Sequence, residues 1–555
     1  MMRSLLWTRT PCCPLLYVGI TEKTQPMMKK QTTARSLRLA ASCMAVMAAP
    51  LSADDRQPNI VLIMCDDMGF SDIGCYGGEV QTPHLDSLAD AGLRFSQFKN
   101  TGRSCPSRAS LLTGCYPHDA GMGWMTAVDE HRPGYRGQID RQIPTLAELL
   151  REAGYGTYMS GKWHVTVDGA FGAPNGTYPT QRGFDRYYGS LTGGGSYFRP
   201  KFVYSNLTPV DSFPEEYYYT EALTDSAVSF IKGHPSGRPL FLYLAYFAPH
   251  RPLQAPADRV ARCRSRYAAG YDVLRRERFR RMKNLGLVPD SMELPRFDRE
   301  FGGHKPAWNE LTDAQRREWT EAMATYAAMI EVMDDGVGRV ADALRARGMA
   351  DNTVFIFLSD NGATLEGGRT NQLMADLSNT PYRSYKMWCY EGGVSTPCII
   401  ADGRPQGRQR AGEICRQPAH ITDILPTCLE LSGHSYPGNG RGIALPGVSL
   451  CPAMEGRPFA QHDLYFEHQT ASALISGRWK IVRPDDKSPW ELYDLSTDPY
   501  ETTDVGGENP DVLGRLASQW QAWAERHNVL PLFNLSWGER IDYWKQRNPD
   551  QDGCD

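Results

Sequence analysis

The stretch Asn59-Ile60-Val61-Leu62-Ile63-Met64-Cys65-Asp66-Asp67 decides the fold. From Ile60 to Met64 the apolar run is unbroken and rich in β-branched residues, which suits a central strand covered on both faces; a strand with one wet face would alternate. Outward from it, strand-length apolar runs alternate with helical patterns from about residue 59 to residue 430, at Leu240 to Phe247, Thr353 to Leu358 and Pro397 to Ile400. That alternation predicts an α/β fold, a large mainly parallel sheet sandwiched by helices. One helix starts at Pro83 with Thr82 as N-cap and ends near Gly92,. Another begins after Thr145, puts Leu146, Leu149 and Leu150 on one face and stops at Gly154. The longest runs from Thr312 to Arg347 and closes at Gly348, with Trp319, Met323, Tyr326, Ile330, Met333, Val337, Val340 and Leu344 at core spacing,.

Residues 255 to 310 fit neither period and read as an Arg-rich insertion beside the site, with Arg262 to Arg281 either as a solvated helix face or as a hold for an anionic glycan,. After about residue 455 the pattern changes to short alternating strands, Leu464 to Glu467, Ala473 to Ile475, Trp479 to Val482 and Glu491 to Leu495, followed by a helix around Pro510 to Arg526. The expected organisation is a catalytic domain over 54 to 455 and a small C-terminal α+β domain with an antiparallel sheet over 456 to 555.

Residues 1 to 53 read as a leader. Lys29, Lys30, Arg35 and Arg38 precede the apolar run Leu39 to Pro50, and Leu51-Ser52-Ala53 offers a small-residue cleavage site,. Met27 or Met28 opens a signal of normal form, so Met1 to Gln25 reads as an upstream mis-start. The expectation is an exported chain, periplasmic or secreted, with no transmembrane segment once processed. The apolar run continues past Cys43, which argues against a lipid anchor there. The formal net charge of -4 gives no basic excess for a nucleic-acid partner. Of 14 cysteines, Cys12, Cys13 and Cys43 fall in the leader, and no C-x-x-C pair exists, so a zinc cluster or thioredoxin-like motif is not expected. Cys389, Cys398 and Cys428 read as buried small apolar residues, with at most one or two disulfides in the chain.

In parallel sheets reactive groups collect at the carboxyl ends of strands. Here the first strand delivers Asp66-Asp67, Leu240 to Phe247 delivers His250, Thr353 to Leu358 delivers Asp360-Asn361, and Tyr155 to Met159 delivers Lys162 and His164. Hard oxygen ligands without a Cys or His cluster favour calcium or magnesium over zinc. In Ser104-Cys105-Pro106-Ser107-Arg108, Pro106 suits the first turn of a helix, which places Ser104 where free amides and the dipole favour an anion,. By itself this segment also reads as a capping serine with a solvated arginine.

The string Ser104-Cys105-Pro106-Ser107-Arg108, followed by Leu111-Leu112-Thr113-Gly114, resembles the signature of type I, formylglycine-dependent sulfatases of the alkaline phosphatase-like superfamily. Ser104 stands two residues before the proline, so the chain looks like the serine-type variant, with Cys105 in the variable position. Further blocks match in order: Asn59 to Asp67, Ser160-Gly161-Lys162-Trp163-His164, Ala248-Pro249-His250, Ser359-Asp360-Asn361-Gly362, and Lys386 ahead of Glu391-Gly392-Gly393. The bacterial arylsulfatase-like branch is similar through Gly121-Met122-Gly123, Gly134-Tyr135-Arg136-Gly137 and Glu467-His468. Around Lys386 the family's usual glycines are replaced by Tyr385 and Met387.

The resemblance implies that Asp66, Asp67, Asp360, Asn361 and a modified Ser104 bind one calcium ion, with magnesium less favoured. It implies that Arg108 and Lys162 hold the sulfate and the aldehyde hydrate, that one hydroxyl attacks sulfur with help from Asp360, and that His250 and Lys386 protonate the departing alcohol. His164 would then take a proton from the second hydroxyl, expelling sulfate. The implied partners are an anaerobic-type maturating enzyme that oxidises serine and a sulfated carbohydrate such as sulfated galactose or hexosamine, with aryl sulfates as surrogates. Two other readings stand beside this one. A phosphatase or phosphodiesterase on the same fold would carry His beside the second metal-binding Asp, where this chain has Asn361. A non-catalytic binder of sulfated glycans would be expected to lack one of Arg108, Lys162, His164, His250 and Lys386. His118, His304 and His468 could line a substrate pocket or simply pack.

Overall fold

The computed structural model describes residues 56 to 542, apart from 298, 301, 302, 305, 367 to 370, 441, 533, 534, 537 and 541. The leader reading, with Cys12, Cys13 and Cys43, and the side chain of His304 lie outside the described residues.

The run that opened the sequence reading is the strand Asn59–Cys65, buried throughout. It pairs in parallel with Thr353–Ser359 on one side and Leu240–Ala245 on the other. Next to Leu240–Ala245 lie Gly156–Gly161 and then Arg186–Ser190, again parallel. These five strands are the middle of an 11-stranded sheet. Its faces divide the central strand by parity. Val61, Ile63 and Cys65 join a core with the helices Tyr219–Gly233 and Asp313–Ala346, while Ile60, Leu62 and Met64 join one with Ser104–Thr113 and Leu146–Glu152. Each face removes apolar side chains from water, which is why the run shows no alternation.

Pro83–Ala91 starts directly after Thr82 as read, but the Thr82 hydroxyl does not cap it: Oγ1 accepts from Gly74 N at 2.9 Å and donates to Asp86 Oδ1 at 3.2 Å. Thr145 and Thr312 each close a capping box, with Glu148 and Gln315 as the reciprocal partners,.

Several strands of the main sheet, Leu93–Lys99 among them, were not anticipated from the pattern, and the strand read at Pro397 to Ile400 runs against its neighbours. Leu93–Lys99 lies in the main sheet, antiparallel to Ser395–Asp402, which itself runs antiparallel to Thr353–Ser359. The sheet is therefore mixed although mostly parallel. The insertion also differs from its reading: it forms two helices, Ala257–Tyr267 and Tyr271–Asn284. Arg278 on the second is not on a solvated face. It is fully buried, with Nη1 donating to Asp72 Oδ1 at 2.7 Å and Nε and Nη2 donating to the two Glu79 oxygens at 2.7 Å each. The helical period was obscured because positions that a packed helix fills with apolar residues hold arginines whose partners come from residues 71 to 79.

The C-terminal strands form a separate four-stranded antiparallel sheet in sequential order, followed by the helix Pro510–Arg526. One face packs on Cys389, Tyr390 and Val394, the other on Tyr116 together with Trp520 and Trp523. The ten described cysteines are all free and buried.

Candidate active site

Strand order brings together what sequence order separates. Thr353–Ser359, Asn59–Cys65, Leu240–Ala245 and Gly156–Gly161 are consecutive neighbours, so Asp360-Asn361, Asp66-Asp67, His250 and Lys162-His164 emerge side by side from one sheet edge. Backbone bonds continue the register past the strand ends: Asp360 N to Cys65 O at 3.1 Å, Asp66 N to Ala248 O at 3.1 Å, and Lys162 N to Ala245 O at 2.8 Å. Asp67 and His164 take φ values of 65 and 55. Such left-handed conformations are costly for non-glycine residues and cluster at functional sites.

Ser104 reaches the same edge from Leu93–Lys99, and opens the buried helix Ser104–Thr113. Gly102, at φ 75, makes the turn between them,. Lys386 arrives by a different route. Because Ser395–Asp402 is antiparallel to its neighbours, the chain ahead of it lies at the edge where parallel strands end. Met387 takes φ 86, so the backbone beside Lys386 holds the conformation glycine would allow, although a methionine stands there.

The side chains meet in a buried network. Ser104 Oγ lies 3.2 Å from Asp66 Oδ1 and 3.1 Å from Asn361 Oδ1. Asn361 Nδ2 donates to Asp67 Oδ1 at 2.7 Å, which turns its amide oxygen toward Ser104. Arg108 donates from Nε and Nη2 to Asp360 Oδ2 at 3.1 and 2.8 Å, and from Nη1 to the Lys162 carbonyl at 3.0 Å. The Lys162 ammonium pairs with Asp66 and that of Lys386 with Asp67. His250 Nε2 lies 3.6 Å from Asp67 Oδ2, and its Nδ1 is 2.6 Å from the Arg251 carbonyl, to which it donates. Every residue proposed for the site from the sequence is thus within this cluster except His164, whose ring makes no hydrogen bond to these groups and whose Nδ1 is buried without a partner.

Burial and charge shape the protonation states. Burial alone would raise the Asp66 carboxyl, but Lys162, His250, Arg108 and Lys386 outweigh it and hold the group well below the usual range. Asp360 is pushed up to about 6, by burial first and then by the neighbouring Asp66 charge. Burial lowers Lys162 despite Asp66. His164 is pushed well below its ordinary value by burial and by Lys162 and Arg108, and burial brings His250 to about 4 against the pull of Asp67 and Asp66.

The donor set fits a hard cation. Asp66, Asp67 and His250 each bring a ligand atom within 4.8 Å of the others. Asp67 Oδ2 is buried and accepts no hydrogen bond. The three oxygens of Ser104, Asp66 and Asn361 share a single hydroxyl hydrogen, so one close oxygen pair lacks a proton between its members. Orphaned buried oxygens of this kind are costly unless a cation satisfies them.

Other sequence candidates sit elsewhere. Cys105 packs in the apolar core, where burial pushes its thiol up to about 12, so it is inert and Ser104 is the residue facing the carboxylates. His118 bonds Glu467 at 2.7 Å inside the protein, and His468 is buried. Sequence reasoning missed the brace behind the Asp pair. Tyr326 Oη donates to Asp72 Oδ2 at 2.7 Å, the carboxylate that Arg278 holds, and lies 3.2 Å from the Asp67 carbonyl. No local signal pointed to Arg278; its helix is arginine-rich throughout.

A doubly covered sheet that gathers carboxylates, fixed cations and a helix-terminal serine at one edge defines a metal-assisted hydrolase of anionic esters. The sulfatase family model matches residues 58–434, and the chain belongs to the sulfatase family, enzymes that hydrolyse sulfate esters. It is 31% identical over 557 residues to an uncharacterized sulfatase of Schizosaccharomyces pombe, covering 87% of this chain and 96% of that one. It is 32% identical to the arylsulfatase of Klebsiella aerogenes, covering 71% and 90%. Among solved structures, Ps i-CgsB in complex with k-i-k-neocarrahexaose matches with a TM-score of 0.67 at 26% identity, over 89% of this chain and 98% of that one. The family is metal-dependent, in keeping with the acidic and histidine group described above. Among the described residues no helix is long and apolar enough to cross a membrane.

Proposed function

We propose that this sulfatase removes sulfate from a sulfated carbohydrate, with Ser104 oxidised to formylglycine and one calcium ion held by Asp66, Asp67, Asp360, Asn361 and residue 104. The observation that carries the reading is the oxygen cluster around Ser104 Oγ, 3.2 Å from Asp66 Oδ1 and 3.1 Å from Asn361 Oδ1. Calcium bound there would neutralise charge on the sulfuryl oxygens. The oxidised residue would supply a hydrated aldehyde, whose second hydroxyl offers an exit for sulfate that a serine ester lacks.

The chain's own groups divide the remaining work. Three carboxylates, Asp66, Asp67 and Asp360, face three cations, Arg108, Lys162 and Lys386, so a divalent ion makes the pocket positive and complementary to an anionic ester. Arg108 is locked on Asp360 and the Lys162 carbonyl, which leaves it an oriented cation for sulfuryl oxygens,. Lys386 and His250 stand at Asp67 and serve the departing alcohol. Burial brings His250 down to about 4. His164, neutral for the same reason, takes the proton whose removal releases sulfate.

The carbohydrate substrate is supported by two relatives. The bound oligosaccharide of Ps i-CgsB is one, and the N-acetylgalactosamine-6-sulfatase of Mus musculus, 29% identical over 90% of this chain, is the other. The leader over residues 1 to 53 supports export to the periplasm or beyond, after maturation by a serine-oxidising enzyme of the anaerobic type. Asn361 argues against the two-zinc phosphatase arrangement.

The test is to express the chain with and without such a maturase, weigh the tryptic peptide that carries Ser104, and follow sulfate release from aryl sulfates and sulfated oligosaccharides. The alcohol-to-aldehyde mass loss and calcium-dependent release should appear together. Oxidised protein that releases phosphate but no sulfate would overturn the reading.

A further inference from the structure

The position of the His164 ring depends on a neighbour that the sulfatase motifs do not include. The backbone of Trp163 donates to Ser190 O at 2.9 Å and that of His164 to Leu191 O at 3.1 Å. The 162 to 164 segment is thus laced to the chain leaving the strand Arg186–Ser190, which continues as Thr192-Gly193-Gly194-Gly195. A Cβ on Gly193 would lie 2.0 Å from His164 Cε1, 2.2 Å from Nε2 and 2.7 Å from Nδ1, whereas a Cβ on Gly194 would meet nothing within 4 Å. Gly193 does not take a left-handed φ. A side chain is excluded there by the imidazole and not by the backbone. Since His164 Nδ1 is buried with no hydrogen-bond partner, no bond from that atom fixes the ring, and van der Waals contact with the glycine takes its place.

We propose that Gly193 is the positioning residue for His164: the space left by its missing side chain is the slot the imidazole fills. This sets where the ring stands when it takes a proton. The inference rests on the reading of His164 as the base that releases sulfate. Gly193→Ala would require the ring to retreat by more than about 1 Å to reach ordinary contact, and a misplacement of about 1 Å can cost on the order of 100-fold in rate.

Two measurements test it. The first uses the protein with Ser104 unoxidised and histidines isotopically labelled. The His164 ring signals, assigned by their loss in His164→Gln, should shift in Gly193→Ala and stay in place in Gly194→Ala. The second uses matured enzyme, with alcohol and sulfate release timed separately. Gly193→Ala should lower kcat about 100-fold with KM falling in step, so that kcat/KM changes little, and sulfate release should lag behind alcohol release. Gly194→Ala should behave as wild type. In a double-mutant cycle Gly193→Ala should add little to His164→Ala. Unmoved ring signals, or full additivity in the cycle, would overturn the proposal. If His164→Ala itself caused no lag of sulfate behind alcohol, the role assigned to His164 would fall, while the ring signals and the cycle would still decide whether Gly193 positions it.

Discussion

Replacing Arg278 by methionine separates a structural brace from a solvated charge. The guanidinium is fully buried and makes five donations: Nη1 to Asp72 Oδ1 at 2.7 Å, to the Leu377 carbonyl at 3.0 Å and to Ser71 Oγ at 3.3 Å, and Nε and Nη2 to Glu79 at 2.7 Å each. Burial would raise the Glu79 carboxyl, but Arg278 holds it below its ordinary value. Methionine matches the aliphatic stem but takes from fully buried Asp72 its cation, and leaves the nearly buried Glu79 only Arg281 at 3.4 Å. Removing one partner of a buried pair costs about 3–5 kcal/mol, and two acceptors here lose the same donor, so a loss at the upper end is expected. Urea unfolding followed by tryptophan fluorescence measures it. Arg276→Met and Arg280→Met, at exposed positions of the same helix, should stay within about 0.5 kcal/mol of wild type. The deficit of Arg278→Met should narrow as acid protonates Glu79, since that removes the stranded charge. Because Tyr326 links Asp72 to the Asp67 backbone, the variant should also need more calcium for half-maximal activity. A stability loss no larger than that of Arg276→Met would refute the brace.

Three further outcomes are expected. Arg108→Lys replaces a fork that bonds both Asp360 and the Lys162 carbonyl by one nitrogen, and should lower kcat about 100- to 1,000-fold in steady-state assays of matured enzyme. Chelation should abolish sulfate release. Restoring free calcium to about 100 times its dissociation constant should recover activity and raise stability by about 2.7 kcal/mol in the same unfolding assay. Burial holds His420 down at about 3 in the folded chain. The unfolded chain therefore binds a proton that the folded chain refuses, and stability should fall as pH drops below about 6.5. His420→Asn should flatten that slope by up to about 1.4 kcal/mol per pH unit in unfolding midpoints taken between pH 4 and 7.

What the sequence by itself determined is local and strongly patterned. Ile60 to Met64 reads as a central strand because both its faces are covered, and Pro83 marks a helix start because its fixed φ and missing N–H suit the first turn,. Asp66, Asp67, His250, Asp360 and Asn361 were legible because parallel strands deliver their next residues to one edge. Ser104 and Lys386 became legible through a family signature, since neither periodicity nor strand ends singled them out. Only the tertiary structure could show why they belong. Leu93–Lys99 carries Arg94 and Lys99, charges that speak against a buried strand until their partners are known: Arg94 donates to the Cys75 and Gly412 carbonyls, and Lys99 pairs with Glu391. Lys386 reaches the site because a distant strand runs antiparallel. Arg278 and Gly193 are the extreme cases, one burying a charge on carboxylates about 200 positions away and the other leaving room for a ring 29 positions back. Such roles are set by partners that meet only when the sheet assembles, so a desolvated ion pair and a missing Cβ leave no trace in the local pattern.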